Sequence, residues 1–139
     1  MTLQARFGRS SAESDIPIAC LVSDAVGDIM CIRDIQTVTG RWRVQKAEPT
    51  SGDKMPGIGV LIRKDTPTTG VMRILGDVTG IFSGMSVLED YYVGASGSLV
   101  NPAPAPDPGE SVWVQKFGFP VSGDVLRLTG ESWMVLRKL

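Results

Sequence analysis

The residues able to do chemistry are few, and their spacing does not bring them together. The chain contains no histidine, which removes imidazole bases and histidine metal ligands in one step. Carboxylate and lysine chemistry remain open. Cys20 and Cys31 lie in apolar surroundings and lack the paired Cys-x-x-Cys spacing of a zinc site. They read as small buried side chains, with a disulfide or a shared metal as the alternative. Gly94-Ala95-Ser96-Gly97 resembles a nucleophile turn only superficially, because the Gly-x-Ser-x-Gly spacing and a histidine partner are both missing. No phosphate-cradling Gly-x-x-x-x-Gly-Lys-Ser/Thr occurs. Glu89 and Asp90 are adjacent, and adjacent strand residues face opposite sides, so they read as surface carboxylates. Arg41, Trp42 and Arg43, with Lys46, mix charge and aromaticity as an oligonucleotide-binding barrel does, but the run is short. The expectation is a protein without catalytic residues, metal or cofactor, and not an enzyme.

The elements that would position these residues are strands. With 139 residues, 42% of them hydrophobic, the chain is long enough for one domain with its own core. A net charge of −1 gives no global pull toward nucleic acid or membrane. No apolar run approaches the roughly 20 residues of a membrane span. Met1 to Ser14 carries no signal-like apolar stretch, which suggests a protein made and assembled in a cytosol. Trp42 and Val44 alternate with Arg41, Arg43 and Gln45, the pattern of a half-buried strand. Gly57–Ile62 and Val71–Leu75 read as a hairpin with a long turn over Asp65–Gly70, and Gly76-Asp77 reads as the next turn. Ser111–Val121 is the longest strand candidate, with Pro120 placing its end at an edge or bulge. The 16 glycines and 9 prolines fall mostly between strands, so the fold is expected to be all-β. About ten short strands would form a compact barrel or sandwich over residues 16–139, behind an extended N-terminal arm, residues 1–15.

Four blocks recur in one order. Asp28-Ile29-Met30-Cys31, Val44-Gln45-Lys46, Ile58-Gly59-Val60 and Val71–Gly76 come first; Asp90-Tyr91-Tyr92-Val93, Val114-Gln115-Lys116, Phe117-Gly118-Phe119 and Val125–Gly130 follow. An internal duplication, with halves 28–76 and 90–130, accounts for this order. A glycine inside a strand marks a bulge or a close backbone approach, here used twice. Arg73 and Arg127 end equivalent strands and would turn outward, as solvated side chains or as equivalent contact points to a neighbour. The copies differ in their loops. Glu48–Pro56 belongs to the first, and the proline-rich Asn101–Gly109 to the second, with Pro104 and Pro106 in a stiff extended stretch. That loop is either an exposed connector or a partner surface.

Leu88–Leu128 resembles a module of tailed-bacteriophage virion proteins. The likeness rests on Tyr91-Tyr92-Val93-Gly94, Gly97-Ser98-Leu99, the proline-rich loop, the strand Val114–Gly118 and the closing apolar strand Val125–Leu128. Gly57–Gly80 also suits that pattern. Together the segments span roughly half of the chain, and they resemble head-decoration or cement proteins, head fibres and tail-fibre modules. The resemblance implies a structural role on the capsid exterior, within the virion, as a homotrimer contacting the major capsid protein or other virion proteins. It implies neither nucleic acid nor membrane as partner. The resemblance does not reach residues 1–15, whose small and polar residues read either as a loose terminus or as an arm docking on a neighbour through Phe7, with Arg6 and Arg9 as charge contacts. A tail fibre or adaptor is the alternative placement, and a small oligonucleotide-binding barrel is the third reading.

Overall fold

A computed structural model describes residues 14–35, 40–130 and 134–138. Eleven strands are present among them: β1 (Ser14–Ala19), β2 (Ile29–Ile35), β3 (Trp42–Lys46), β4 (Gly59–Thr66), β5 (Thr69–Thr79), β6 (Tyr92–Val93), β7 (Leu99–Val100), β8 (Ser111–Val114), β9 (Phe119–Ser122), β10 (Val125–Leu128) and β11 (Val135–Lys138). Only two 3-10 turns interrupt them, Gly52–Lys54 and Ala95–Gly97.

Five strands close into a ring. The order is β1–β3–β2–β4–β5, and β5 pairs back onto β1. All contacts around it are antiparallel except β1–β3, where Ile18 and Ala19 run parallel to Trp42 and Arg43. Closure removes the free edges that an open sheet would expose. The alternation read from the sequence fills the lumen. Each strand sends in one fully buried side chain: Ile18, Met30, Val44, Leu61 and Met72. Ile16, Trp42, Ile58 and Ile74 pack against them. A barrel of this size is plugged by its own side chains, so the lumen is a core and not a channel.

A second core lies on the outer face of β2 and β4. There Ile29, Cys31 and Val60 point away from the lumen and meet Met55, Val78, Val93, Phe117 and Leu126. The C-terminal half thus covers one side of the ring. The bridge between the two parts is β5 itself. Up to Leu75 it pairs with β1 and β4; from Gly76 to Thr79 it pairs with β10. Gly76 has a φ of +100°, a region that side chains rarely adopt, and there the strand changes partners. Beyond β10 the sheet ends at β9.

The architecture is the expected all-β barrel, and several boundaries differ from the sequence reading. Strand β1 starts at Ser14, inside the segment 1–15 assigned to the arm, because Ser14 and Asp15 pair with Leu75 and Arg73. The hairpin turn is short, only Pro67 and Thr68, since Thr66 and Thr69 still pair. Gly76-Asp77 is not a turn but the bend inside β5, which makes β5 the longest strand. Ser111–Val121 is not one strand. It divides into β8 and β9 because Gly118, at φ +62°, breaks the extended run. Pro120 does lie in an edge strand, β9.

The repeated blocks occupy the same register in two hairpins. Val60 pairs with Arg73 in β4–β5, and Phe119 pairs with Arg127 in β9–β10. In both, the preceding glycine packs against the arginine carbonyl. A Cβ built on Gly59 would lie 2.6 Å from Arg73 O, and one on Gly118 would lie 2.5 Å from Arg127 O. Each arginine also faces an aspartate on its other side: Asp15 opposite Arg73, Asp77 opposite Arg127. The outer blocks diverge. Val44–Lys46 pairs within the ring, whereas Val114 pairs with Val135 of β11.

Candidate functional site

The arginines of the two hairpins are held by the protein itself. Arg73 donates from Nε and Nη2 to Asp15 at 2.8 and 3.0 Å, and from Nη1 to Asp77 O at 2.7 Å. Arg127 donates in the same forked way to Asp77 at 2.7 and 3.0 Å. This hydrogen bonding holds the Asp77 carboxyl below the usual carboxylate range. Both guanidinium groups therefore act first as cross-strand ties. Pro104 and Pro106 are half-buried in an irregular segment whose tip, Pro108 and Gly109, is exposed. The base of that loop is tied down where Asn101 Nδ2 donates to Asp90 O at 2.8 Å. Arg6, Phe7 and Arg9 lie outside the described residues.

Among the described residues, no group of chemical residues converges. Cys20 and Cys31 are free and buried, one in the lumen and one in the outer core, and burial pushes both thiols up. Asp90 pairs with Lys116 at 3.0 Å, while Glu89 accepts from Asn101 at 3.3 Å, so the two acids are separately engaged. The Gly94–Gly97 turn is architectural: Ser96 N–H donates to Glu48 Oε1, and Gly97 N–H to Ala47 O. Among the described residues, no three His, Cys, Asp or Glu side chains come together as a metal site. No helix there is long and apolar enough to cross a membrane.

Two buried polar groups were not singled out in the sequence. Gln115 is fully buried, donates to Gly57 O at 2.7 Å and accepts from Gly57 N–H at 2.8 Å. The side-chain amide thus serves as a strand neighbour for Gly57 and fastens the C-terminal half to the ring. Its only sequence signal is the repeated Val-Gln-Lys block, in which Gln45 stays half-exposed. Asp24 is the other. Its Oδ2 accepts from Leu21 N–H at 2.7 Å, and its buried Oδ1 lies 3.7 Å from Lys46 Nζ without a hydrogen bond. Lys64 donates to Asp24 O at 2.8 Å, and Lys46 to Ser23 O at 2.8 Å, so two lysines anchor the β1–β2 loop.

A surface cleft of about 330 Å³ lies beside the end of β1, over Cys20 and Val44. Arg33, Arg41 and Arg43 line it, with Thr68 and Thr69. The pairing of β2 with β3 shifts between Ile32 and Asp34, so Arg33 is the extra residue of a β-bulge. Bulges re-aim side chains, and this one brings Arg33 to the wall that carries Arg43. Asp34 forms a forked pair with Arg43, with one contact at 2.7 Å, and the guanidinium holds its carboxyl below the usual range. At the other end of the ring, Ile32, Trp42, Ile58 and Ile74 line an apolar cleft of about 430 Å³.

The fold and its surface define a class: a closed β-barrel with an outer C-terminal layer, a basic cleft and an apolar edge strand. No family model, curated protein or solved structure matches this chain.

Proposed function

We propose that this chain is a non-enzymatic structural protein of a tailed-bacteriophage particle, binding and stabilising the capsid exterior as a homotrimer. The observation that carries the reading is the asymmetry of edges. The ring has closed its own, while β9 ends its sheet and presents Phe119 and Val121 side by side, 41% and 42% exposed. An unpaired edge with exposed apolar side chains suits strand addition from a neighbouring subunit. The resemblance of Leu88–Leu128 to virion modules supplies the setting, and many symmetric copies would supply affinity.

The direct test is labelling this protein on assembled particles. Label over the head supports decoration; label on the tail moves the protein to a fibre or adaptor role. Removing residues 1–13 should abolish binding to empty capsids if that segment is the docking arm. The trimer is tested with Phe119→Glu/Val121→Glu by light scattering after size exclusion. Loss of the trimer is expected; a wild-type monomer, or a variant that still forms trimers, sinks the edge-to-edge reading. A second reading, binding of single-stranded oligonucleotides, draws on the five-stranded ring and its arginine cleft. A salt-sensitive gel shift would support it.

A further inference from the structure

We propose that the edge of β9 pairs in parallel with β11 of a second copy, and that this contact, repeated, closes the homotrimer. The inference rests on the homotrimer reading above and names the two surfaces that meet in it. Symmetry carries the first step. A strand that pairs with its own counterpart makes a two-fold contact and stops at two copies, whereas each junction of a three-fold ring joins two different surfaces. The partner of β9 is therefore a strand other than β9. Among the described residues, β6, β7, β8, β9 and β11 each have a single strand neighbour. β6 also bridges to Lys116, and β8 also bonds to Pro49. β7 is two residues long and half-buried. The remaining edge is β11.

In character β11 answers β9. Its Val135 and Leu136 are 44% and 38% exposed, close to the values of Phe119 and Val121, and both strands have four residues. Edges are commonly blunted by charge or proline; β9 carries no charged side chain, and Pro120 withdraws one backbone donor, which limits the pairing to a short run. The charges set the direction. Asp124 is exposed just beyond the C-terminal end of β9, and β11 ends on exposed Arg137 and Lys138. A parallel alignment brings these cations toward Asp124 and leaves Val135 beside Phe119. An antiparallel one would send them toward Lys116, a like charge.

The test is crosslinking of the full chain with a short bis-maleimide, which reaches direct and diagonal cross-strand neighbours. Val121→Cys/Val135→Cys and Val121→Cys/Leu136→Cys are compared with the three single variants. Wild type, whose Cys20 and Cys31 are buried, gives the background. Circular dichroism melts establish that each variant is folded, and Ser122→Cys replaces Val121→Cys if it is not. Covalent dimers and trimers are expected from at least one double variant, with the single variants at background. Dimers from Val121→Cys alone would show β9 pairing with itself and overturn the proposal, as would a trimer in solution that neither double variant crosslinks. Asp124→Lys should lower the crosslinked fraction severalfold, and adding Lys138→Asp should restore it; an undiminished fraction overturns the parallel alignment. Light scattering of wild type separates the two readings. A trimer without these crosslinks defeats only the pairing, and an open polymer that carries them defeats only the closed trimer. A monomer defeats both, while head label on particles would still leave the capsid placement standing.

Discussion

Hairpins β4–β5 and β9–β10 are built alike and used differently. Each sets a glycine against the carbonyl of an arginine, and each arginine forks onto an aspartate of the next strand. In the first, both flanks are occupied, by β2 and β1, and the outcome is a closed ring. In the second, one flank is β5, and among the described residues no strand pairs with the other. A common local device therefore does not dictate a common environment. What differs is the supply of neighbouring strands, and that difference leaves β9 at the end of its sheet.

Substitutions at equivalent positions sharpen the comparison. The largest difference is expected at the two Val-Gln-Lys blocks. Gln115→Leu leaves both polar groups of Gly57 unpaired in a buried site, and at about 1–3 kcal/mol each this removes roughly 2–6 kcal/mol. Gln45→Leu, at a half-exposed position, should cost under about 0.5 kcal/mol. Urea denaturation of both variants reads the gap; equal losses would remove Gln115 as the fastener between the halves.

Glycine substitutions come next. Gly59→Ala and Gly118→Ala both push a methyl into backbone carbonyl, and Gly118 adds the strain of a positive φ, about 1 kcal/mol or more. Gly118→Ala should therefore destabilise at least as much, although its hairpin lies at the sheet edge. A tolerated Gly118→Ala would mean that the open hairpin relaxes where the ring cannot.

Acid sensitivity is a smaller effect. The folded Asp77 carboxyl lies below its unfolded value because of Arg127, so its contribution is present above the unfolded carboxylate range. As pH falls through the depressed folded value that contribution is lost. Asp77 is partly exposed, which limits it to about 1 kcal/mol or less. Asp77→Asn should lower stability near neutrality and flatten the acid limb of a stability–pH curve; an unchanged limb would show that the pair contributes nothing. The smallest effect concerns the thiols, which are raised by burial in both cores. Cys20, at the cleft floor and slightly more exposed, should react with a thiol reagent before Cys31. The reverse order would mean that the outer layer opens before the ring.

Much of this was legible in the residues. The alternation around Trp42 and Val44 assigned the right face to the lumen, and Pro120 marked an edge. The two cysteines read correctly as small buried groups. Gly76 was misread as a turn because a glycine followed by aspartate has the same local signature whether the chain reverses or a long strand bends. The arginines at 73 and 127 were recognised as equivalent, but their aspartates were not, because Asp15 is 58 residues and Asp77 is 50 residues from the arginine it faces.

By itself, then, the sequence determined the β character, the positions of most turns, the inward faces and the matched glycine–arginine blocks. Those follow from side-chain branching, alternation and backbone restriction, which act over a few residues. Only the tertiary structure decided that β1 closes on β5, that β1 and β3 run parallel, that Gln115 serves Gly57, and that a bulge gathers Arg33 with Arg41 and Arg43. Those choices depend on which strands compete for the same edge. That competition is resolved by burying two cores at once, and no local window of residues contains it.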